Sequence, residues 1–289
     1  MKLVTMTGEL ARRFGDKNAI EMINTAGFDG YDYTMMGGDD DWRKELKGDD
    51  ALEHVRALRE FSDEIGLSCL QAHAPCLGVP TFVTEETYVQ MTLRAIEFAA
   101  ELGCGVLVVH PGCYFTAEQN RDLIYSKVLP SAEKLNVKIA TENMYKWKDE
   151  RQMQTAPAAC GTAADFVAHV DCVNHPYFTA CLDLGHAQMI NCEGAAAMIQ
   201  ALGKDRLGAL HVHDNDLVND DHTFPFVGKS DWEEITEALA KINYQGHFTF
   251  ETDALLSRYP DELTLDLLKL LERTGRYLIS RVESKRRTK

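Results

Sequence analysis

The chain has 289 residues, 45% hydrophobic and 26% charged, which suits a globular protein with a sizeable core and allows one α/β barrel of about 250 residues. Thirty basic against 45 acidic residues leave a net charge of −15, which repels nucleic acid and anionic membrane surfaces over most of the protein. No stretch approaches the roughly 18 apolar residues needed to span a bilayer, and the opening MKLVTMTGELARRFGDKNAI lacks the apolar segment of a signal peptide.

The eight cysteines contain no C-x-x-C pair, so reduced, mostly buried thiols and a cytoplasmic location are expected. From the N-terminus, LVTM (3–6) and FDGYDYT (28–34) read as buried strands. The acidic segment 37–50 that follows reads as a solvated loop, or as a lid carrying Trp42 over the mouth. ALEHVRALREFSDEIG (51–66) spaces Leu52, Val55, Leu58, Phe61 and Ile65 three and four apart, one apolar helical stripe. LSCLQAH (67–73) is a strand, and TEETYVQMTLRAIEFAAELG (84–103) a helix ending at a Gly103 cap. GVLVVH (105–110), VKIATE (137–142), FTACLD (178–183), LGALHVH (207–213) and HFTFE (247–251) complete eight strands, and Asp231 and Glu234 open a capped helix at 231–242. Strand–helix alternation with strands buried on both faces predicts a parallel sheet, and eight uninterrupted units predict a single (β/α)8 TIM barrel spanning 1–289. A doubly wound open sheet is disfavoured, because no G-x-G-x-x-G follows the first strand. The basic tail from about residue 280, ending Lys285-Arg286-Arg287-Thr288-Lys289, is expected to be frayed and solvated.

In such a barrel the carboxyl ends of the strands converge on one face, where active sites are built. From the third run onward the terminal residues are His73, His110, Glu142, Asp183, His213 and Glu251. Mixed imidazole and carboxylate donors suit Mn²⁺ or Zn²⁺, with Co²⁺, Fe²⁺ or Mg²⁺ also compatible, better than the all-oxygen shells of Ca²⁺. Within HVHDNDLVNDDH (211–222), His211 and His213 both face inward. His213, nearer the rim, is the expected ligand; His211 is expected behind it as an orienting partner. His186 turns back over the mouth three residues after Asp183, and Asp220 and His222 sit on the next loop. Asp214, Asp216 and Asp221 read as solvated or capping. Trp232 or Tyr31 could line a sugar-binding wall, with packing the alternative for Trp232; Tyr114 and Phe115 read as loop or lid.

QAHAP, VVHPG, ATENM, CLDLGH, HVHDND, DDHTFPFVGKSDW and FTFETD together resemble, over almost the whole chain and in order, the xylose-isomerase-like TIM-barrel superfamily. That superfamily holds sugar isomerases and epimerases, inosose dehydratases and the endonuclease-IV class. The resemblance implies a core metal on Glu142, Asp183, His213 and Glu251, with substrate contact from His186. The endonuclease-IV pattern implies further ligands at His73, His110, His186, Asp220 and His222, and so more than one ion. Ketose 3-epimerases carry a glutamate and an arginine where this chain has Lys148 and Asn219, which argues against 3-epimerisation of a free ketose. The DNA-reading class carries an aromatic where HAPC has Cys76.

The predicted function is a divalent-metal-dependent isomerase or epimerase of a sugar or polyol-derived carbonyl compound, acting through a cis-enediolate. Glu142 and Glu251 would move the proton, while His186, His73, His110 and Trp232 would contact substrate. A lyase or dehydratase using the same enolate, a zinc phosphodiesterase and a non-catalytic metal-holding subunit are the alternatives. The expected partner is an unphosphorylated carbohydrate or cyclitol, with no nucleic acid or membrane partner; a homo-oligomer is compatible.

Overall fold

All eight apolar runs form strands in the computed structural model, which describes residues 1–35, 50–76, 83–149, 154–189 and 192–287. The acidic segment bearing Trp42 lies outside the described residues, Asp50 excepted. The barrel strands are β1 (Leu3–Met6), β2 (Gly30–Thr34), β3 (Ser68–His73), β4 (Val106–Val109), β5 (Lys138–Glu142), β6 (Phe178–Asp183), β7 (Leu207–His211) and β8 (Phe248–Phe250). From β1 to β7 each strand pairs in parallel with the next, and β8 pairs with β1. The ring closes just beyond β7: Val212 N donates to Thr249 O (2.8 Å) and Glu251 N to Val212 O (3.1 Å). The fold is a (β/α)8 TIM barrel.

The helices between strands are α1 (Asp16–Ala26), α2 (Ala51–Ile65), α3 (Glu85–Glu101), α4 (Ser126–Lys134), α5 (Ala163–Val173), α6 (Ala195–Arg206), α7 (Trp232–Lys241) and α8 (Thr264–Arg287). Sequence signals set their ends. The Thr84 side chain caps α3 by accepting from Thr87 N (3.2 Å). Gly103, beyond the other end, takes the left-handed φ of +70° that a side chain would strain. Asp231 caps α7 by accepting from both Glu233 N (3.0 Å) and Glu234 N (2.9 Å).

Residues two apart on a strand share a face, so the residues just below the catalytic rim form the next layer inside the barrel. On β4 to β7 that layer is small and apolar: Val108, Ala140, Cys181 and Ala209 pack as one buried cluster. On β2, β3 and β8 it is polar. There Gln71 Nε2 donates to Asp32 Oδ2 (2.9 Å) while its carbonyl accepts from Thr249 Oγ1 (3.2 Å). Tyr31, one residue before Asp32, points the other way and bonds Ser62 of α2 (2.9 Å). It is therefore part of the barrel wall, not of a sugar-binding surface.

The described part of the basic end, to Arg287, is not frayed. It forms the last turns of α8, where Lys285 donates to Glu233 O (2.8 Å), Arg281 pairs with Glu233 (3.1 Å) and Arg286 reaches Tyr244 O. A carbonyl in the first turn of α7 and another just past its last turn hold it in place. Asp214, read as solvated or capping, is fully buried. It accepts from Asn215 N, Phe226 N, Ser230 N and the Trp232 indole (2.9, 2.9, 3.0 and 3.0 Å), which folds the β7–α7 loop around one carboxylate. Asp216 does cap, accepting from Val218 N (2.8 Å) and Asn219 N (2.7 Å), and Asp221 accepts from Asp216 N (3.1 Å). Replacing Trp232 with Phe keeps the ring and removes one donor from a buried carboxylate, so it should destabilise the fold by about 1–3 kcal/mol. Chemical denaturation measures this; an unchanged midpoint would refute Asp214 as the anchor of the loop.

A candidate metal centre at the mouth of the barrel

The strand ends deliver their side chains as the topology requires. Glu142, ending β5, is buried and reaches three imidazoles: Oε1 lies 2.8 Å from His211 Nδ1, and Oε2 lies 3.0 Å from His110 Nε2 and 3.4 Å from His73 Nε2. Glu251 brings Oε2 to 2.9 Å from the same His211 nitrogen. Among the described residues, donor atoms within 4.8 Å of one another form four overlapping groups: His73, His110 and Glu142; Glu142, Asp183, His211 and Glu251; His186, His213, Asp220 and His222; and His73, His211 and Glu251. Glu142 belongs to the first two.

His211, not His213, stands with the three carboxylates, which reverses the assignment expected within HVHDND. β7 ends at His211, which pairs directly with Asp183 in the register of β6 and β7. The apolar run continues to His213, but Val212 already bonds across to β8, so His213 rises above the strand end. From there its Nε2 meets Asp183 Oδ1 (3.1 Å) and Asp220 Oδ1 (3.6 Å), and its ring stacks on His222 at 4.1 Å between centroids. The approach depends on Gly185, where a Cβ would lie 1.9 Å from the His213 ring.

Two of the rings are oriented by carbonyls on their far sides. His73 Nδ1 donates to Ala74 O (2.7 Å) and His186 Nδ1 to Asn143 O (2.9 Å), leaving both Nε2 atoms aimed at carboxylates. Asn143 also clamps the ends of β5 and β6, accepting from Asp183 N (2.7 Å) and donating to Asp183 O (3.0 Å). Asp183 Oδ1 accepts from His186 N (2.7 Å), capping the short helix Leu184–Gln188 and fixing the DLGH turn. His211 Nε2 faces Asp32 at 3.7 Å. Tyr145, first residue of a hairpin that continues from β5 (Tyr145–Asp149, Gln154–Pro157), sets its ring 5.1 Å from His186. Asn143, Asp32, Tyr145 and the Cys76 that bonds His110 Nδ1 (2.7 Å) were not singled out as site residues from sequence. Asn143 directly follows Glu142, and Asp32 shares the inward face of β2; those positions were the available signals.

Trp232 stands elsewhere. It is buried against Asp214 and lines a surface groove of about 420 Å³ with Phe226, Tyr277 and Arg281, which contains none of the clustered ligand-type residues. This is the packing alternative. Tyr114 is exposed and, with Phe115, lines a separate open groove beside the hairpin.

The residues fit a cation. Buried His73 Nε2, Glu142 Oε2, His211 Nε2, His213 Nδ1 and Asp220 Oδ1 have no hydrogen-bond partner, and buried polar atoms rarely go unpaired. Burial pushes Glu142 up, but His211 and His110 outweigh it and hold the carboxyl well below its ordinary range. Burial pulls the histidines down, but neighbouring carboxylates prevail: His211 and His186 are held well above the usual imidazole value, and Asp220 with Glu251 raises His222 to about 10.

Those shifts fix the sign of a pH effect. A cation needs bare imidazole nitrogens, whereas the surrounding carboxylates strengthen the hold of His211, His186 and His222 on a proton, so binding competes with protons and tightens as pH rises. In the metal-free protein, the stability contributed by protonated His222 is fully present below about 6.5 and is lost as pH climbs through about 10. Titration calorimetry of Mn²⁺ in two buffers of different ionisation enthalpy should give buffer-dependent heats; identical heats would contradict the assignment.

The sequence profile of the xylose isomerase-like TIM barrel family matches residues 20–274, and the chain belongs to that family. Protein y4fM of Sinorhizobium fredii is 31% identical over 175 residues, which cover 57% of this chain and 52% of y4fM, about half its length. Among solved structures, D-allulose 3-epimerase from Methylomonas sp. superposes with a TM-score of 0.71 at 19% identity, covering 97% of this chain and 98% of that one. The 3-keto-D-glucoside 4-epimerase YcjR of E. coli has a TM-score of 0.67 at 20% identity, covering 94% and 99%. At these identities the two structures support the fold alone. No described helix is long and apolar enough to cross a membrane.

Proposed function

We propose that this protein is a divalent-metal-dependent isomerase or epimerase acting on a neutral sugar or polyol-derived carbonyl compound. One observation carries the reading: Glu142 and Glu251 converge on the same nitrogen of His211, at 2.8 and 2.9 Å, beside Asp183. This leaves one cation locus flanked by two carboxylates. Glu142, Asp183, His211 and Glu251 would hold Mn²⁺ or Zn²⁺, and His73 and His110 with Glu142 a second ion. The cation supplies Lewis acidity toward adjacent carbonyl and hydroxyl oxygens.

The chain supplies the rest. One of the two glutamates takes the proton α to the carbonyl and the other returns it, on the opposite face for epimerisation or on the neighbouring carbon for isomerisation. His186, at the mouth, holds a substrate oxygen. The two structural neighbours are named as sugar epimerases, in keeping with this reading, although Lys148, where ketose 3-epimerases carry a glutamate, argues against a free ketose handled at C3. Elimination from the same enolate is separated from isomerisation by product analysis, since only a lyase releases water or an aglycone.

Glu142→Gln should lower exchange of the substrate α-proton with D₂O by roughly a hundredfold or more, followed by NMR with metal content measured in parallel. Exchange at the wild-type rate would remove Glu142 from the mechanism.

A zinc phosphodiesterase is the second reading, favoured by the third group, His186, His213, Asp220 and His222, because clustered ions suit phosphate-ester hydrolysis. The net charge of −15 opposes a DNA substrate. Incubation of the zinc-loaded protein with abasic-site duplex at low salt decides it: cleavage supports the phosphodiesterase, and intact duplex favours the isomerase.

A further inference from the structure

We infer that Cys76 is a positioning residue for His110: its sulfur holds that imidazole so that Nε2 serves the His73–His110–Glu142 group. This rests on the reading that those three residues take a second divalent cation.

Of the eight cysteines, Cys76 is the exposed one. It stands on the rim three residues beyond His73, and its Sγ lies 2.7 Å from His110 Nδ1. Two polar contacts therefore fix the His110 ring, Cys76 on one nitrogen and Glu142 Oε2 (3.0 Å) on the other. Tyr88, which donates to His110 O (2.8 Å), fixes only the backbone. Beside His110, His73 Nε2 is buried without a hydrogen-bond partner and faces the same Glu142 Oε2 at 3.4 Å.

The partners of the two histidines differ in kind. His73 Nδ1 faces a carbonyl, which only accepts, so its Nε2 is kept bare. A thiol both donates and accepts. With Sγ–H donating to Nδ1, the proton on Nε2 points at Glu142; with Nδ1–H donating to sulfur, Nε2 is free to ligate. Cys76 thus keeps hold of the ring in both tautomers, so His110 need not swing when a cation arrives. A serine preserves both roles, whereas an alanine leaves Nδ1 to water and the ring free to turn. Position 76 is exposed, so neither substitution touches the core.

The test uses full-length protein stripped with chelator and titrated with Co²⁺, comparing wild type, Cys76→Ser, Cys76→Ala and His73→Ala by metal analysis and calorimetry. His73→Ala should lose one ion relative to wild type, which identifies that ion. Cys76→Ala should bind the same ion about 10–100-fold more weakly with its other ions and its melting temperature unchanged, and Cys76→Ser should recover to within a few fold of wild type. If Cys76→Ala keeps wild-type affinity while His73→Ala loses the ion, the inference fails and the second-ion reading survives. A thiolate-to-cobalt charge-transfer band that disappears in Cys76→Ala would make Cys76 a ligand and overturn the positioning role. If His73→Ala binds as many ions as wild type, both readings fall.

Discussion

Glu142 is a buried carboxylate that faces three imidazoles from two sides, and the top of the barrel is organised around it. An isolated charge there would cost many kcal/mol to desolvate. It is tolerated because His211, His110 and His73 lie within 3.4 Å of its oxygens. The same contacts tie the ionisation of one group to that of the next, and the nearby carboxylates strengthen the hold of His211 and His110 on a proton. Protons and a cation thereby compete for the same nitrogens.

Three features of the fold make this arrangement possible. Beneath the ligands on β4 to β7 lies the small apolar layer of Val108, Ala140, Cys181 and Ala209, which brings those four strand ends close without filling the mouth. Opposite, the Asp32–Gln71–Thr249 network provides a carboxylate under His211, where an apolar side chain would leave its second nitrogen with nothing polar to face. Above, the β7–α7 loop wraps around buried Asp214 and carries Asp220 and His222 back over the barrel, with His222 itself at a left-handed φ of +41°. Such strain in a non-glycine residue persists where surrounding contacts over-determine it.

Periodicity and burial made the barrel legible, because strands enclosed on both faces must be apolar and must recur between amphipathic helices. The clustering of His73, His110, Glu142, Asp183, Glu251, His186, Asp220 and His222 followed from topology, since parallel strands deliver their last residues to one rim. Where a strand stops was not legible. LGALHVH has one unbroken inward pattern, and only the crossing of Val212 to β8 separates the level of His211 from that of His213. Asp214 was misread because a carboxylate that satisfies three amides and an indole looks, in sequence, like any loop aspartate. The final basic run was misread because its partners, Glu233 and Tyr244, lie about fifty and forty residues away. Orientation from behind a ligand, as by Asn143 and Asp32, depends on cross-strand distances that spacing within one strand does not encode.

The central claim is that one divalent cation is held jointly by Glu142, Asp183, His211 and Glu251. Anomalous diffraction from crystals grown with Mn²⁺ locates the ion directly. The account predicts a peak within coordination distance of all four side chains, on the Nδ1 side of His211. A peak on His213 that avoids His211, or no peak among the four, would contradict it.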